Sequence, residues 1–589
     1  MKNKEVANML YEISELLALA GENRFRINAY ERASQTVESL TSDTEELKDK
    51  GKLQEIPGIG EGIAEKITEF LETGKLKYLE ALKKKFPEGL LEIMAVPGIG
   101  PKKAKELFEK LKITNVQELR EAASSGRLRD LPGFGEKTEQ NILSGIELKE
   151  KSRGRILLSD ALSAAKELVS QLKKNKEIIE IEPAGSLRRR KETIGDIDIL
   201  CTVKKGEEKK IIEKFINLNG VQKVTAAGGT KASIIAEGGI QVDLRVIEQR
   251  SYGAALQYFT GSKEHNIVLR EFANKKGLTI NEYGVYRLTP RQRRGSVTVT
   301  EIGNCHALQT SNKTKSIAGE TEKEVYETVG MEYIEPEMRE NRGEIEAALK
   351  GELPKLVELK DILGDTHVHS YFSDGTQPIL EIAEYAAEFG YQWIVITDHS
   401  QSLKVAHGMA PKDLRKKLDE VRNANQKQNK IKVLYGTEVD ILMDGSLDYS
   451  DDILKGFDYV MASIHSGFKQ PEEKIHSRIF KAFQNKYVHC LSHPTGRLIG
   501  AREPYAVNME KVIEEAKKTG VYLEINAYPE RLDIYDVHCL KAKEARVKVT
   551  IGTDAHHMEQ LSYMELGVCV ARRGWLEKND VINSMPYDK

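Results

Sequence analysis

Cysteine is scarce: five in 589 residues, scattered at Cys201, Cys305, Cys490, Cys539 and Cys569, odd in number and without a C-x-x-C pair. That excludes a disulfide framework and a thiolate zinc knuckle, and leaves reduced thiols used for packing. Long apolar runs are lacking too; none approaches the ~20 residues that a bilayer-spanning helix needs. The opening stretch MKNKEVANMLYEISELLALAGENRFR reads as an acidic amphipathic helix without signal-peptide architecture, so the expectation is a cytoplasmic protein with no membrane partner. Nor is there an excess of one charge: 89 Lys and Arg face 91 Asp and Glu. A uniformly basic nucleic-acid coat is thereby excluded, whereas local basic patches are not. The chain is too long for one core and implies three or four domains.

What is present begins with a repeat. IPGIGEGIAEKI at 56–67, VPGIGPKKAKEL at 96–107 and LPGFGEKTEQNI at 131–142 share a Pro-Gly-apolar-Gly turn running into a helix. Gly58, Gly60, Gly98, Gly100, Gly133 and Gly135 permit positive φ and bring bare N–H groups to a helix start, where a phosphate is favoured. These turns resemble helix-hairpin-helix modules, which hold DNA backbones, and three copies beside the lysines at 83–85 and 102–103 disfavour plain helical corners. Residues 1–85 and 86–150 are thus expected to form two all-α helix-hairpin-helix regions.

From about 155 a helical segment leads into short β-rich stretches, which predicts a helix packed on a small sheet. GSLRRRKETIGDIDIL at 185–200 places Asp196 and Asp198 two apart on a strand, facing one way as two ligands for a pair of Mg²⁺ ions must. Asp243, alone among apolar residues on a neighbouring strand, is the third carboxylate. Such a cluster is costly to bury without cations between its members. Gly185 and Ser186 offer donors to phosphates, and Arg189 a planar fork.

Beyond 360 strands and helices alternate, and each apolar strand runs into a metal-ligating side chain near its end. The set is His367, His369, Asp374, His399, Glu438, His465, His493, Asp554 and His556. In a β/α barrel those strand ends converge on one face. Nine N/O donors suit two or three divalent ions such as Mn²⁺ or Zn²⁺, with Glu438 able to bridge two of them. The histidines off these motifs, His265, His306, His407, His476, His489, His538 and His557, are read as structural.

HxHxxxxD at 367–374, TDH, E, H, H and DxH resemble the PHP (polymerase and histidinol phosphatase) family at all nine positions. The resemblance implies a distorted β/α barrel over 351–589 with an active trinuclear phosphoesterase centre in which His399 and Glu438 are catalytic. GS-x-RR-(x)₅-GDxD, the Asp of VDLR, YFTGS-(x)₃-N and GLTINEYG resemble the family X DNA polymerases, the polymerase beta-like group. That resemblance implies a nucleotidyltransferase palm at 151–250 and a nucleotide-binding thumb at 251–315; the polar, acidic stretch 316–350 after it reads as a linker with a docking helix. It makes Asp196, Asp198 and Asp243 the catalytic metal triad. Ser186 and Arg189 would then bind triphosphate, Tyr258, Phe259 and Gly261 flank the sugar, and Asn266 meets the minor-groove edge of the base pair. Gln241 and Lys263 depart from animal relatives, which carry an arginine and an acidic residue there. Lys66 matches the Schiff-base lysine of lyase-competent relatives, although Gly62 replaces a supporting lysine. A 5′-phosphate contact or a solvated helix charge stay open as its role.

The two resemblances together imply a monomer acting on gapped or primer-template DNA and deoxynucleoside triphosphates. It would fill gaps in base excision repair, and its barrel would degrade 3′ ends. The alternatives are a barrel acting as an abasic-site endonuclease or 3′-phosphatase, and a DNA-binding scaffold with relic sites.

Overall fold

The computed structural model describes residues 3–38, 44–56, 58–87, 89–94, 96, 99–152, 154–288 and 315–587, which fall into two compact units. The amino-terminal unit is helical. Val6, Leu10, Ile13 and Leu17 form one apolar stripe on the helix Asn3–Ala20, which packs along Arg24–Glu38. Further helices start directly behind the repeated turns: Glu61–Thr73, Pro101–Leu111 and Glu136–Ser152. The apolar residue between the two glycines of each repeat (Ile59, Ile99, Phe134) is buried. Its N–H donates to the carbonyl three residues earlier, that of Ile56, Val96 and Leu131 respectively. At their described residues the three turns thus share one hydrogen bond, and each sends one apolar side chain into the core.

The second unit starts with the helix Leu158–Lys173 against a five-stranded sheet, ordered Ile178–Pro183, Asp196–Val203, Gln241–Val246, Lys231–Ala236, Val221–Ala227. Only the Asp196–Val203 and Gln241–Val246 pair is parallel, in a register that sets Asp198 opposite Asp243. Helices Tyr252–Thr260 and Lys263–Lys275 and a hairpin, Leu278–Asn281 with Gly284–Arg287, follow.

The segment 316–350, expected to be a linker, is instead part of the thumb's interior over its described length. Val325, Tyr326, Val329, Met331, Ile334, Met338, Ile345 and Ala348 share one core with Ala254, Leu269 and Ile280. The misreading has a physical cause: the segment is rich in charge, but its charges are paired and buried. Glu322 accepts from Arg188 and from the fully buried Arg339, which also donates to the Ile334 carbonyl.

Seven parallel strands then follow in chain order: Gly364–Val368, Trp393–Ile396, Lys432–Asp440, Tyr459–Ser463, Cys490–Leu491, Tyr522–Asn526 and Val549–Gly552. The ring closes where Asp554 N donates to His367 O at 2.9 Å and His369 N to Ala555 O at 2.8 Å. These strands are buried along most of their length because both faces are covered, as parallel sheets require.

Candidate active sites

In the palm, β-pleat and register do the positioning. Asp196 and Asp198 point to one face of their strand, and Asp243 joins them from the next. Gly185 closes the site from above with φ +61°, and a Cβ there would stand 3.0 Å from Asp198 Oδ2, so both backbone and space call for glycine. Burial first, and the neighbouring Asp196 second, push the Asp198 carboxyl up to about 6. Asp243 moves the other way: burial opposes its charge, but bonds from Ser233, Lys231 and Gln241 outweigh that and lower its pKa. Lys231 Nζ stands 3.0 Å from Asp243 Oδ2 and Gln241 Nε2 donates to Oδ1 at 3.1 Å. Gln241, the departure noted in the sequence, is thus a partner of the third carboxylate. Lys231 pairs with Asp243, while Arg245 and Lys231 only partly offset the burial and repulsion that raise Asp198, which fits a site for divalent cations.

In the barrel all nine ligands converge. Three groups of donor atoms each fall within 4.8 Å of one another: His369, Asp374, His399 and His556; His367, His369 and Asp554; and His399, Glu438 and His465. His493 Nε2 lies 3.0 Å from Glu438 Oε1. The donors fit ions better than they fit one another. Nε2 of His367 and of His369 are 2.9 Å apart, and His399 Nδ1 is 2.8 Å from Glu438 Oε2 yet not aligned to hydrogen-bond with it. Buried His369 Nδ1, His493 Nδ1 and Asp374 Oδ1 likewise have no hydrogen-bond partner. Such orphans cost free energy unless a cation takes them up.

The ring nitrogens turned away from the centre are held by residues the sequence reading did not single out. His367 Nδ1 sits 2.6 Å from Glu524 Oε1, and His465 Nδ1 2.5 Å from Asp440 Oδ1. Asp398, beside His399, takes Ser370 N, Ser370 Oγ and Ser373 Oγ and pairs with the buried Lys417, fixing the loop between His369 and Asp374. Arg531 Nε is 3.3 Å from Asp554 Oδ2. Burial opposes protonation of His465 and His556, yet Glu438 and Asp440 raise the first to about 10, and Asp374 and Asp554 raise the second to about 9. His369 is lowered to about 4 by burial, then by His556 and His399; His493 falls to about 4 by burial and then Arg531. Cation uptake at neutral pH must therefore expel protons.

Comparison with known proteins gives the same division. Residues 156–244 match the DNA polymerase beta palm, 255–340 the DNA polymerase beta thumb and 365–528 the PHP domain. Residues 1–76 match a helix-hairpin-helix domain, and 90–149 a SAM-like helix-hairpin-helix tandem. The DNA polymerase/3′-5′ exonuclease PolX of Bacillus subtilis (strain 168) is 37% identical over 586 residues, which cover 99% of this chain and 98% of that one. The chain belongs to the family X DNA polymerases that carry a PHP domain. Two probable phosphatases, of Thermoanaerobacter sp. (strain X514) and Caldanaerobacter subterraneus subsp. tengcongensis, are each 30% identical over only 37% and 33% of this chain, covering 89% and 75% of their own lengths.

Other expected site residues of this polymerase fall as follows. Arg189 donates to Thr260 O and Glu340, close to Gly261. Tyr258 and Phe259 pack edge to face, with Arg245 over the Phe259 ring. Asn266 turns inward, donating to Tyr258 O and accepting from Gln257. A Cβ on Gly58, Gly60, Gly100, Gly133 or Gly135 would meet nothing within 4 Å. Gly58 (φ +80°) and Gly133 (φ +83°) supply the left-handed turn, and the others leave open space beside the helix starts. Gly98 lies outside the described residues. Lys66 Nζ donates to Gly62 O and stands 5.1 Å from the Tyr78 ring, whose hydroxyl accepts from Arg26. The off-motif histidines that are described include His265, bonded to Glu344 and Tyr326, and His476, which accepts from Asn508 N.

Asp198 yields a prediction. Its folded-state pKa lies above the ordinary carboxylate value, so its contribution to stability is present below about 4 and lost as pH rises through about 6. Above that point a bound cation relieves the charge. Mg²⁺ is therefore expected to raise the melting midpoint by several degrees more at pH 7.5 than at pH 5, measured against EDTA-treated protein. Equal shifts at both pH values would contradict the assignment.

Proposed function

We propose that the chain fills short DNA gaps during repair and removes nucleotides from 3′ ends at its barrel. One observation carries this reading: a triad of aspartates on one sheet and a nine-donor centre on one barrel face occupy the same chain.

At the palm, Asp196, Asp198 and Asp243 would hold two Mg²⁺ ions, which neutralise triphosphate oxygens and favour deprotonation of the primer 3′-hydroxyl. The bond from primer O3′ to the α-phosphorus forms as that to the leaving pyrophosphate breaks. Asp243 orients the attacking hydroxyl, and Ser186 and Arg189 hold the triphosphate. In the amino-terminal unit, Lys66 and Arg26 suit a 5′-phosphate at the far edge of a gap, and the three glycine turns suit backbone phosphates.

At the barrel, the nine donors would hold up to three Mn²⁺ or Zn²⁺ ions, which polarise water and the phosphodiester. Glu524 and Asp440 keep His367 and His465 in the ligating orientation. Arg531, with Nε 3.3 Å from Asp554 Oδ2, adds positive charge beside the centre. The match of the barrel alone to probable phosphatases favours a second reading, a 3′-phosphatase. Incubation with matched, mismatched, abasic and 3′-phosphate duplexes separates the two. Release of 3′ nucleotides, faster from mismatched ends, is expected; cleavage confined to 3′-phosphates would replace the exonuclease with the phosphatase.

A further inference from the structure

The turn that carries the triphosphate-binding residues is tied to the barrel through a buried charge network. Arg573, in the barrel helix Met564–Arg573, donates from Nη1 to the backbone carbonyl of Arg189 at 2.5 Å and to Glu340 Oε1 at 2.9 Å. Its Nη2 donates to Asp536 Oδ2 at 2.6 Å, and Asp536 in turn accepts from Arg342 at 3.1 Å. Glu340 Oε1 also accepts from Arg189 Nε at 3.1 Å, and Arg189 Nη1 donates to Thr260 O at 2.6 Å, next to Gly261. One guanidinium from the barrel thus touches the main chain of the palm turn and the carboxylate that orients that turn's arginine. The Arg573 side chain is 4% exposed, so water does not substitute for it.

We propose that Arg573 is a positioning residue for nucleotide binding at the palm, acting through Arg189 and Glu340. Burying several charges gains little net stability, because desolvation offsets their attraction, whereas removing one partner leaves the others unpaired. What the network does supply is geometry. The Arg189 carbonyl precedes Arg190, a non-glycine residue at φ +55°, and such a turn holds its shape only where its surroundings fix it. Within the turn, Lys191 N donates to Ser186 O and Arg190 N to Leu187 O; from outside, Arg573 holds the carbonyl and Glu340 the side chain. Without Arg573 the carbonyl loses its donor, Glu340 loses a partner and Arg189 swings with it. A fork misplaced by about 1 Å costs binding or rate by orders of magnitude at such sites. The metal triad is not part of this network. The expected effect therefore falls on nucleotide affinity, and the polymerase depends on its barrel for more than hydrolysis.

This inference rests on the polymerase reading, and the test keeps the two apart. Steady-state incorporation on gapped primer-template is measured for the full-length protein and for R573M, R573K and D536N, with 3′ degradation and melting midpoint in parallel. R573M is expected to raise the KM for deoxynucleoside triphosphate about tenfold with kcat within about threefold, while 3′ degradation stays within twofold. R573K recovers part of the loss, since an ammonium reaches the carbonyl but cannot fork. D536N, which makes no hydrogen bond to the palm turn although the Asp536 charge reaches Lys191, raises KM in the same sense by about threefold and serves where R573M fails to fold. An unchanged KM in R573M or, failing that variant, in D536N would overturn the inference, as would equal losses in both activities. Absence of incorporation by the unmodified chain would instead remove the polymerase reading itself.

Discussion

Glu438→Gln is expected to lower 3′-end degradation by ~10³ or more while leaving nucleotide addition within about threefold. The carboxylate lies 2.8 Å from His399, 3.0 Å from His493, 3.3 Å from His465, 3.4 Å from His367 and 3.6 Å from His369. It is the only group of the centre within reach of five imidazoles, so it is the position from which two cations can be shared. Glutamine keeps its shape and removes its charge. Cations at a phosphoester centre are worth several kcal/mol of transition-state charge stabilisation, and about 4 kcal/mol is a thousandfold. Degradation of a 3′-mismatched duplex followed on denaturing gels, with elemental analysis of the purified variant, checks both consequences. Retention of more than a tenth of the activity with a full complement of metal would remove Glu438 from the bridging role. A parallel loss of nucleotide addition would mean that the two centres are not independent.

The nine barrel ligands were legible because they lie in or shortly after strand ends, and parallel strands in chain order bring those ends to one face. That needs no knowledge of which side chains touch. Their supports were not legible, for an equally physical reason. Glu524 sits within a strand as a single acid and Asp440 ends a strand that already carries Glu438, and only the closed ring shows that they face inward to His367 and His465. Lys417 lies on a helix otherwise rich in exposed charge, and nothing in its spacing marks it as the one that is buried against Asp398. The stretch from 315 to 350 misled because charge density reads as solvent exposure, whereas Glu322, Arg339 and Glu344 are buried and paired. Arg573 was illegible altogether: its partners, Arg189 and Glu340, lie hundreds of residues earlier in the chain. The palm triad shows the opposite case. A pleat of period two fixed Asp196 and Asp198 on one face, and a lone acid in IQVDLRV found its place opposite them by register.

Asp198→Asn is expected to abolish nucleotide addition, by ~10³ or more, and at the same time to stabilise the metal-free protein. The two effects have one cause. Asp198 sits beside Asp196 and opposite Asp243, partly buried, where its carboxyl is raised to about 6. At pH 7.5 it is therefore ionised at a cost of at most about 3 kcal/mol relative to an ordinary carboxylate. Asparagine keeps the volume and removes that cost, so the melting midpoint in EDTA rises. It also removes a ligand charge from the cation pair, so Mg²⁺ no longer stabilises the variant in the way it stabilises the parent. Asp243→Asn behaves differently, because the Asp243 charge is already met by Lys231 at 3.0 Å and by Gln241. Neutralising it removes a charge that the fold favours, so activity falls without a gain in stability. Melting curves of both variants with EDTA and with Mg²⁺, read beside single-nucleotide incorporation on gapped DNA, decide the matter. A structural role for Asp198 predicts a lower midpoint in EDTA; a built-in cation site predicts a higher one with activity gone. The same carboxylate then carries the catalytic charge and the instability that the cation relieves.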